Sequence, residues 1–126
     1  MTQEEKELLK DLCARLDTNL VCSIYRTDDE GVGYRDEILH GYCKGDIWYE
    51  FYFREDCSIS IDNVSKIKPY LFPLSSITKK RLEELSEYID IKNAYVAVEL
   101  LNSHHIDYRG LIEKGLAIDA TGLNIY

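Results

Sequence analysis

The sequence predicts an α+β fold: a four-stranded antiparallel meander with an N-terminal helix and two C-terminal helices. Residues 1–63 contain aromatic segments with strand-like alternation, and residues 78–126 space their apolar side chains as helices do. Both prolines, Pro69 and Pro73, lie in the short segment between these halves. The length of 126 residues suits a single domain. We divide it into helix plus meander (1–63), a proline-containing connector (64–77) and a helical part (78–126).

The first predicted element is a helix over residues 2–16. Thr2 and Glu5 match a capping box, in which a threonine side chain and a glutamate three residues later bond the free backbone amides of the first turn. Four leucines then follow with helical spacing and form one apolar stripe. They are Leu8, Leu9, Leu12 and Leu16.

Four strands follow, with connections short enough to favour sequential antiparallel pairing. They are predicted over residues 20–26, 34–43, 47–54 and 57–61, and an acidic loop is predicted over 27–33. The third strand shows two faces, because side chains alternate along a strand. The apolar face carries Ile47, Tyr49, Phe51 and Phe53. The opposite face carries Trp48, Glu50, Tyr52 and Arg54.

The segment with both prolines predicts a stiff connector. Proline lacks a backbone donor and has a fixed φ, so we expect neither Pro69 nor Pro73 inside a helix or a central strand. After it, Thr78 begins a predicted helix that runs to about residue 89. A last helix is predicted over 94–104, with a strand as the alternative for residues 95–98. The predicted core consists of Leu12, Leu16, Tyr49, Phe51, Phe53, Ile59, Ile61, Leu82, Leu85, Val98 and Leu101.

The net charge of −8 lies entirely in the N-terminal half, where residues 1–63 hold 15 acidic and 7 basic side chains. Such a field disfavours direct binding of nucleic acid and suits a basic protein partner, although solubility alone also explains it. No stretch approaches the ~20 apolar residues of a membrane span. The N-terminus is acidic and lacks the apolar segment of a secretory signal, so we expect a cytoplasmic protein with no membrane association.

No constellation of residues predicts catalysis, a metal site or a cofactor. Adjacent histidines in His104-His105-x-Asp107 point in different directions on a helix, which argues against a shared metal ion. The cysteines form no C-x-x-C pair and are expected to be reduced thiols; they are Cys13, Cys22, Cys43 and Cys57. Lys79-Lys80-Arg81 at a helix start is an anion-site candidate or simply a solvated face.

The polar–aromatic face of the third strand is the best functional lead. Trp48 and Tyr52 would lie about 13 Å apart on it, and large amphipathic aromatic residues are enriched at interfaces. The alternative is that the C-terminal helices cover this face. The predicted binding residues are Trp48, Tyr52, Tyr42, Arg54, Asp28, Asp29 and Glu30.

Three segments carry a resemblance to a known family: residues 8–16 (LLKDLCARL), 67–78 (IKPYLFPLSSIT) and 107–117 (DYRGLIEKGLA). They resemble a family of short uncharacterised proteins found in gut bacteria and in their phages and prophages. Phe72 departs from it, standing where the family commonly has arginine. Lys79-Lys80-Arg81 also departs, standing where acidic residues usually follow the threonine. The resemblance implies an accessory protein of a phage or mobile element, and it supplies no catalytic or binding residues.

The leading hypothesis is therefore a non-enzymatic protein that binds a host or phage protein and modulates it, for example a host defence protein. The alternative is a small-ligand binder that sequesters a nucleotide-like molecule. In that case a base would stack on Trp48 or Tyr52, and Arg54, Lys79 and Arg81 would hold the phosphates. Self-association into a homo-oligomer is left open.

Overall fold

The computed structural model describes residues 2–28, 31–44, 49–53, 57–61, 64–76 and 94–126. Its two described helices are α1 (Gln3–Ala14) and α2 (Ala94–Ser103). Its strands are β1 (Val21–Asp28), β2 (Gly31–Lys44), β3 (Tyr49–Phe53), β4 (Cys57–Ile61), β5 (Ile67–Pro73), β6 (Ile106–Asp107) and β7 (Ile118–Asp119). Short 3₁₀ turns at Val64–Lys66 and Leu74–Ser76 flank β5.

The strands form one mixed sheet in the order β4-β3-β2-β1-β5-β6, and β7 also pairs with β5. The mixed composition and the N-terminal helix confirm part of the prediction. The sheet is not a four-stranded meander, however, because β5 adds antiparallel to β1, and β6 and β7 add parallel to β5. The part called helical, 78–126, therefore also contributes two strands. Of the two predicted C-terminal helices, only α2 lies in the described part, and the helix over 78–89 falls outside it, with Leu82 and Leu85.

The proline segment is a strand, so the prediction of a connector was wrong. Pro69 is the last residue of β5 to pair with β1, opposite Cys22, and Pro73 is the last residue of β5 itself. A missing N–H matters only where the ladder needs that donor, and both prolines lie where a run of pairing ends. Leu71, between them, is fully buried.

The predicted loop over 27–33 is also mostly strand. β1 continues to Asp28 and β2 begins at Gly31, and these two residues pair. β2 is consequently long, and a bulge between Leu39 and Gly41 interrupts its pairing with β3. Because a bulge places one extra residue on one strand, Leu39 and Tyr42 both keep their side chains on the face of Phe51 and Phe53.

The core lies between the sheet, α1 and the segment that follows β6. Thr2 caps α1, its hydroxyl accepting the Glu5 amide at 3.1 Å, and Leu8 and Leu12 are fully buried. The core cluster comprises Leu8, Leu12, Leu20, Cys22, Ile24, Leu39, Phe51, Phe53, Val64, Ile67, Leu71, Leu111, Leu116 and Ala117.

Part of the predicted core is confirmed: Leu12, Phe51 and Phe53 are buried, and Leu16 packs half-buried against the cluster. Val98 was predicted wrongly and is 42% exposed. Helix α2 buries its C-terminal end at Asn102, beside β6, whereas Val98 lies a turn earlier on its open side. Leu101 is half-buried. Tyr49 pairs with Ile61, and Ile59 with Phe51, but the side chains of Tyr49, Ile59 and Ile61 lie outside the description.

Candidate functional site

The face of the sheet opposite α1, here called the outer face, carries tyrosines. Tyr25 and Tyr34 are paired across β1 and β2, Tyr52 lies on β3, and Tyr70 lies on β5. Tyr34 and Tyr52 are exposed, at 70% and 39% of their surface, and Tyr70 is buried. The outer face is therefore open to solvent at Tyr34 on β2 and at Tyr52 on β3.

Tyr52 is held by its neighbours on this face. Gly41 pairs with it, and a Cβ added at Gly41 would lie 3.5 Å from the Tyr52 ring, so the ring lies against a bare stretch of backbone. Partial burial and the nearby Glu50 carboxylate raise the pKa of the Tyr52 hydroxyl. Its ring is thus neutral at physiological pH, fixed on a strand and partly open to solvent, as expected of an interface residue.

Tyr42 lies on the other face. It pairs with Phe51, and the two rings are 5.1 Å apart, packed against the core. The bulge in β2 is the reason, because it shifts the alternation by one residue between Leu39 and Tyr42. The structure therefore does not bring Tyr42 and Tyr52 together.

The acidic residues also lie apart from Tyr52. Asp28 ends β1 at the hairpin tip and pairs with Gly31, whereas Tyr52 pairs with Gly41. These two glycines are ten positions apart on β2, which is about 33 Å of extended strand. Four other predicted site residues lie outside the described residues: Trp48, Arg54, Asp29 and Glu30.

A buried network of charges, which the sequence analysis did not predict, joins α1 to the segment after β6. Arg15 donates to Asp11 through Nε at 2.9 Å and through Nη2 at 3.1 Å, and both side chains are 0% exposed. Arg109 Nε lies 3.3 Å from the same carboxylate. Burial raises the pKa of Asp11, and the two guanidinium groups partly offset that effect.

Residues 106–108 complete this network. Arg15 Nη2 also donates to the backbone carbonyl of Ile106 at 2.5 Å. The Tyr108 ring lies 5.2 Å from both the Arg15 and the Arg109 guanidinium carbons, close enough for cation–π attraction. The Asp107 carboxylate accepts two backbone amides of the turn that follows, so it orders this segment.

His105 lies beside the network, close to Arg15, and contacts Tyr126. Its ring stacks on Tyr126 at 3.7 Å, and the Tyr126 hydroxyl bonds the backbones of Val21 and Tyr70. Burial, together with Arg15, lowers the pKa of His105 to about 4. The imidazole is therefore neutral at physiological pH.

These contacts bring together the three segments that carry the family resemblance. Residues 8–16 supply the ion pair, 107–117 supply its partners and part of the core, and β5 within 67–78 pairs with β6 and β7. An Asp–Arg pair four residues apart on a helix also occurs on solvated faces, so the pair alone did not predict burial. The signal that was available is that three segments far apart in the sequence resemble the same family.

Metal binding gains no support from this geometry. Asp107 uses both carboxylate oxygens for backbone amides, and no group of three potential metal ligands occurs in the described part of the chain. Burial raises the pKa of the Cys22 thiol well above its usual range, which leaves it protonated and unreactive.

Comparison with known proteins returned nothing: no protein-family profile, no curated protein and no solved structure matches the chain. Among the helices in the described ranges, none has the length and apolar character needed to cross a membrane.

Proposed function

We propose that this chain is a non-enzymatic accessory protein of a phage or mobile element that acts in the cytoplasm by binding a host or phage protein. The observation that carries the proposal is Tyr52, a neutral, partly exposed ring fixed on the outer face of β3. Tyrosine is over-represented among the few residues that dominate interface energies. The resemblance of three segments to proteins of phages and prophages supports the biological setting.

The surface that we propose for the partner is the Tyr52 patch, made of Tyr52, Glu50 and Gly41; Trp48, which the sequence predicted as a binding residue, lies outside the described residues. Glu50 adds a carboxylate beside the ring, and the excess of acidic residues in 1–63 adds a long-range negative field. Such a surface fits a basic protein and repels nucleic acid. Association is therefore expected to slow as the salt concentration rises.

The test is a pull-down with tagged protein from host lysate, followed by measurement of the dissociation constant for the recovered protein. Tyr52→Ala should weaken that binding about tenfold or more. Tyr34→Ala is the matched control, since it removes the same kind of side chain from the same face. Tyr34 lies on β2, seven positions before Gly41, the residue that pairs with Tyr52. Equal affinity of the wild type and Tyr52→Ala for the recovered protein would refute the proposed surface.

A further inference from the structure

A cleft opens on the outer face between the β1–β2 hairpin and the start of β5. It encloses about 190 Å³ and is lined by Tyr25, Tyr34, Ser65, Lys66 and Lys68. The two tyrosine rings are 5.2 Å apart and tilted by 60°, so they form an angled aromatic wall. Two lysines and one serine hydroxyl complete the lining. The lining of the cleft thus combines aromatic and cationic side chains.

We propose that this cleft binds a small molecule with one aromatic ring and one phosphate, the chemistry of a pyrimidine nucleoside monophosphate. The ring would stack on Tyr34, and the lysine ammonium groups with Ser65 would hold the phosphate. Stacking on tyrosine tolerates any planar ring, so the phosphate sets the orientation. The site is distinct from the Tyr52 patch and does not depend on it.

Size limits the ligand. A cavity of about 150 Å³ holds a benzene ring, so the cleft of about 190 Å³ has room for one ring with its anionic group. Whole drug-sized ligands occupy pockets of about 300–1,000 Å³. The remainder of a nucleotide would therefore extend from the cleft into solvent, and a dinucleotide would gain no additional contact.

Charge makes the cleft unusual in this acidic chain. Lys66 ends the 3₁₀ turn before β5, Lys68 is the second residue of β5, and both line the cleft. Among the described residues, Asp36 is the carboxylate that the register places across Ser23 from Lys68, and it accepts the Tyr70 hydroxyl at 2.7 Å. Asp36 is thus already engaged by a neutral donor, and the two lysines bring positive charge to the lining of the cleft.

The experiment measures binding by chemical-shift changes in two-dimensional NMR spectra, with four probes: uridine monophosphate, phenyl phosphate, uridine and ribose 5-phosphate. Both ring-bearing phosphates should shift the amides of the cleft. Uridine and ribose 5-phosphate should bind about tenfold more weakly, because each lacks one of the two recognition groups. If phenyl phosphate and uridine monophosphate both leave these amides unshifted at millimolar concentration, the proposal is wrong.

Variants assign the binding to this cleft. Tyr34→Ala and Lys68→Gln should each weaken uridine monophosphate about tenfold, whereas Lys44→Gln, an exposed lysine elsewhere on β2, should not. Tyr34 is largely exposed, so its removal should leave the fold intact, which the unshifted amides of α1 would verify. If Tyr34→Ala, Lys68→Gln and Lys44→Gln all bind uridine monophosphate with the same affinity, the assignment to this cleft is wrong. Tyr52→Ala should leave this binding unchanged, which separates a failure here from a failure of the proposed protein interaction.

Discussion

The buried pair of Asp11 and Arg15 should behave as one energetic unit. Two short hydrogen bonds join the side chains, neither of which contacts solvent. Removing one partner leaves the other charged and buried, which costs about 3–5 kcal/mol of unfolding free energy. A domain of ordinary stability has about 5–15 kcal/mol in total, so this loss is readily measured.

The two single substitutions should differ in a way that the structure dictates. Asp11→Leu leaves Arg15 with the Ile106 carbonyl as its described acceptor, so we expect the full loss of about 3–5 kcal/mol. Arg15→Met leaves the Asp11 carboxylate beside Arg109 at 3.3 Å, so the loss should be smaller. The double variant removes both charges and should be more stable than the sum of the two losses implies, by about 1–3 kcal/mol.

Urea unfolding at pH 7, followed by circular dichroism, gives the four free energies of this cycle. Glu7 and Lys114 supply the control, since they link α1 to the same C-terminal segment at 2.5 Å while remaining partly exposed. Exposed pairs contribute little, so Glu7→Gln should change stability far less than Asp11→Leu. Additive losses in the Asp11 and Arg15 cycle would refute the reasoning, because independent side chains show no coupling.

Three further predictions concern stability. Since His105 binds its proton more weakly when folded, stability should fall as the pH drops from about 6.5 to about 4, by about 1–2 kcal/mol after solvent screening, and His105→Asn should flatten that part of a urea-midpoint profile. An unchanged profile would contradict this. Asp107→Ala should lower the free energy of unfolding by about 1–2 kcal/mol, because it removes the two hydrogen bonds that the carboxylate accepts from backbone amides. Equal stability of this variant and the wild type in thermal unfolding would show that the turn forms without these hydrogen bonds. Gly110→Ala should cost about 1 kcal/mol because its φ is +73°, whereas Gly33→Ala, with open space around the added Cβ, should be neutral or mildly stabilising; equal unfolding midpoints for the two would contradict the backbone argument.

Local signals predicted the elements whose physics is local. The capping box at Thr2 and the leucine spacing gave α1, and alternation gave β3 with Phe51 and Phe53 on its buried face. The strand β5 escaped prediction because a proline is excluded only where its missing N–H would be used. That depends on which strand pairs beside Pro69, which the sequence does not state.

The candidate sites depended even more on distant contacts. Alternation on β3 placed Tyr52 on its face, but the bulge in β2 moved Tyr42 to the other side. Tyr25 and Tyr34 meet the lysines of the cleft only because β1 is paired on both edges, with β2 and with β5. No spacing along the chain reveals that juxtaposition.

The reach of the Arg15 side chain also sets an order of events during synthesis. Its acceptor at Ile106 lies 91 residues further along the chain. At about 5–20 residues per second, a ribosome would need roughly 5–20 s to supply it after Arg15 has been made. The neighbouring strands of the β1–β4 region can pair within that time, because their partners are close in sequence. The hydrogen bond from Arg15 to Ile106 therefore belongs to a later stage of folding than the pairing of these strands.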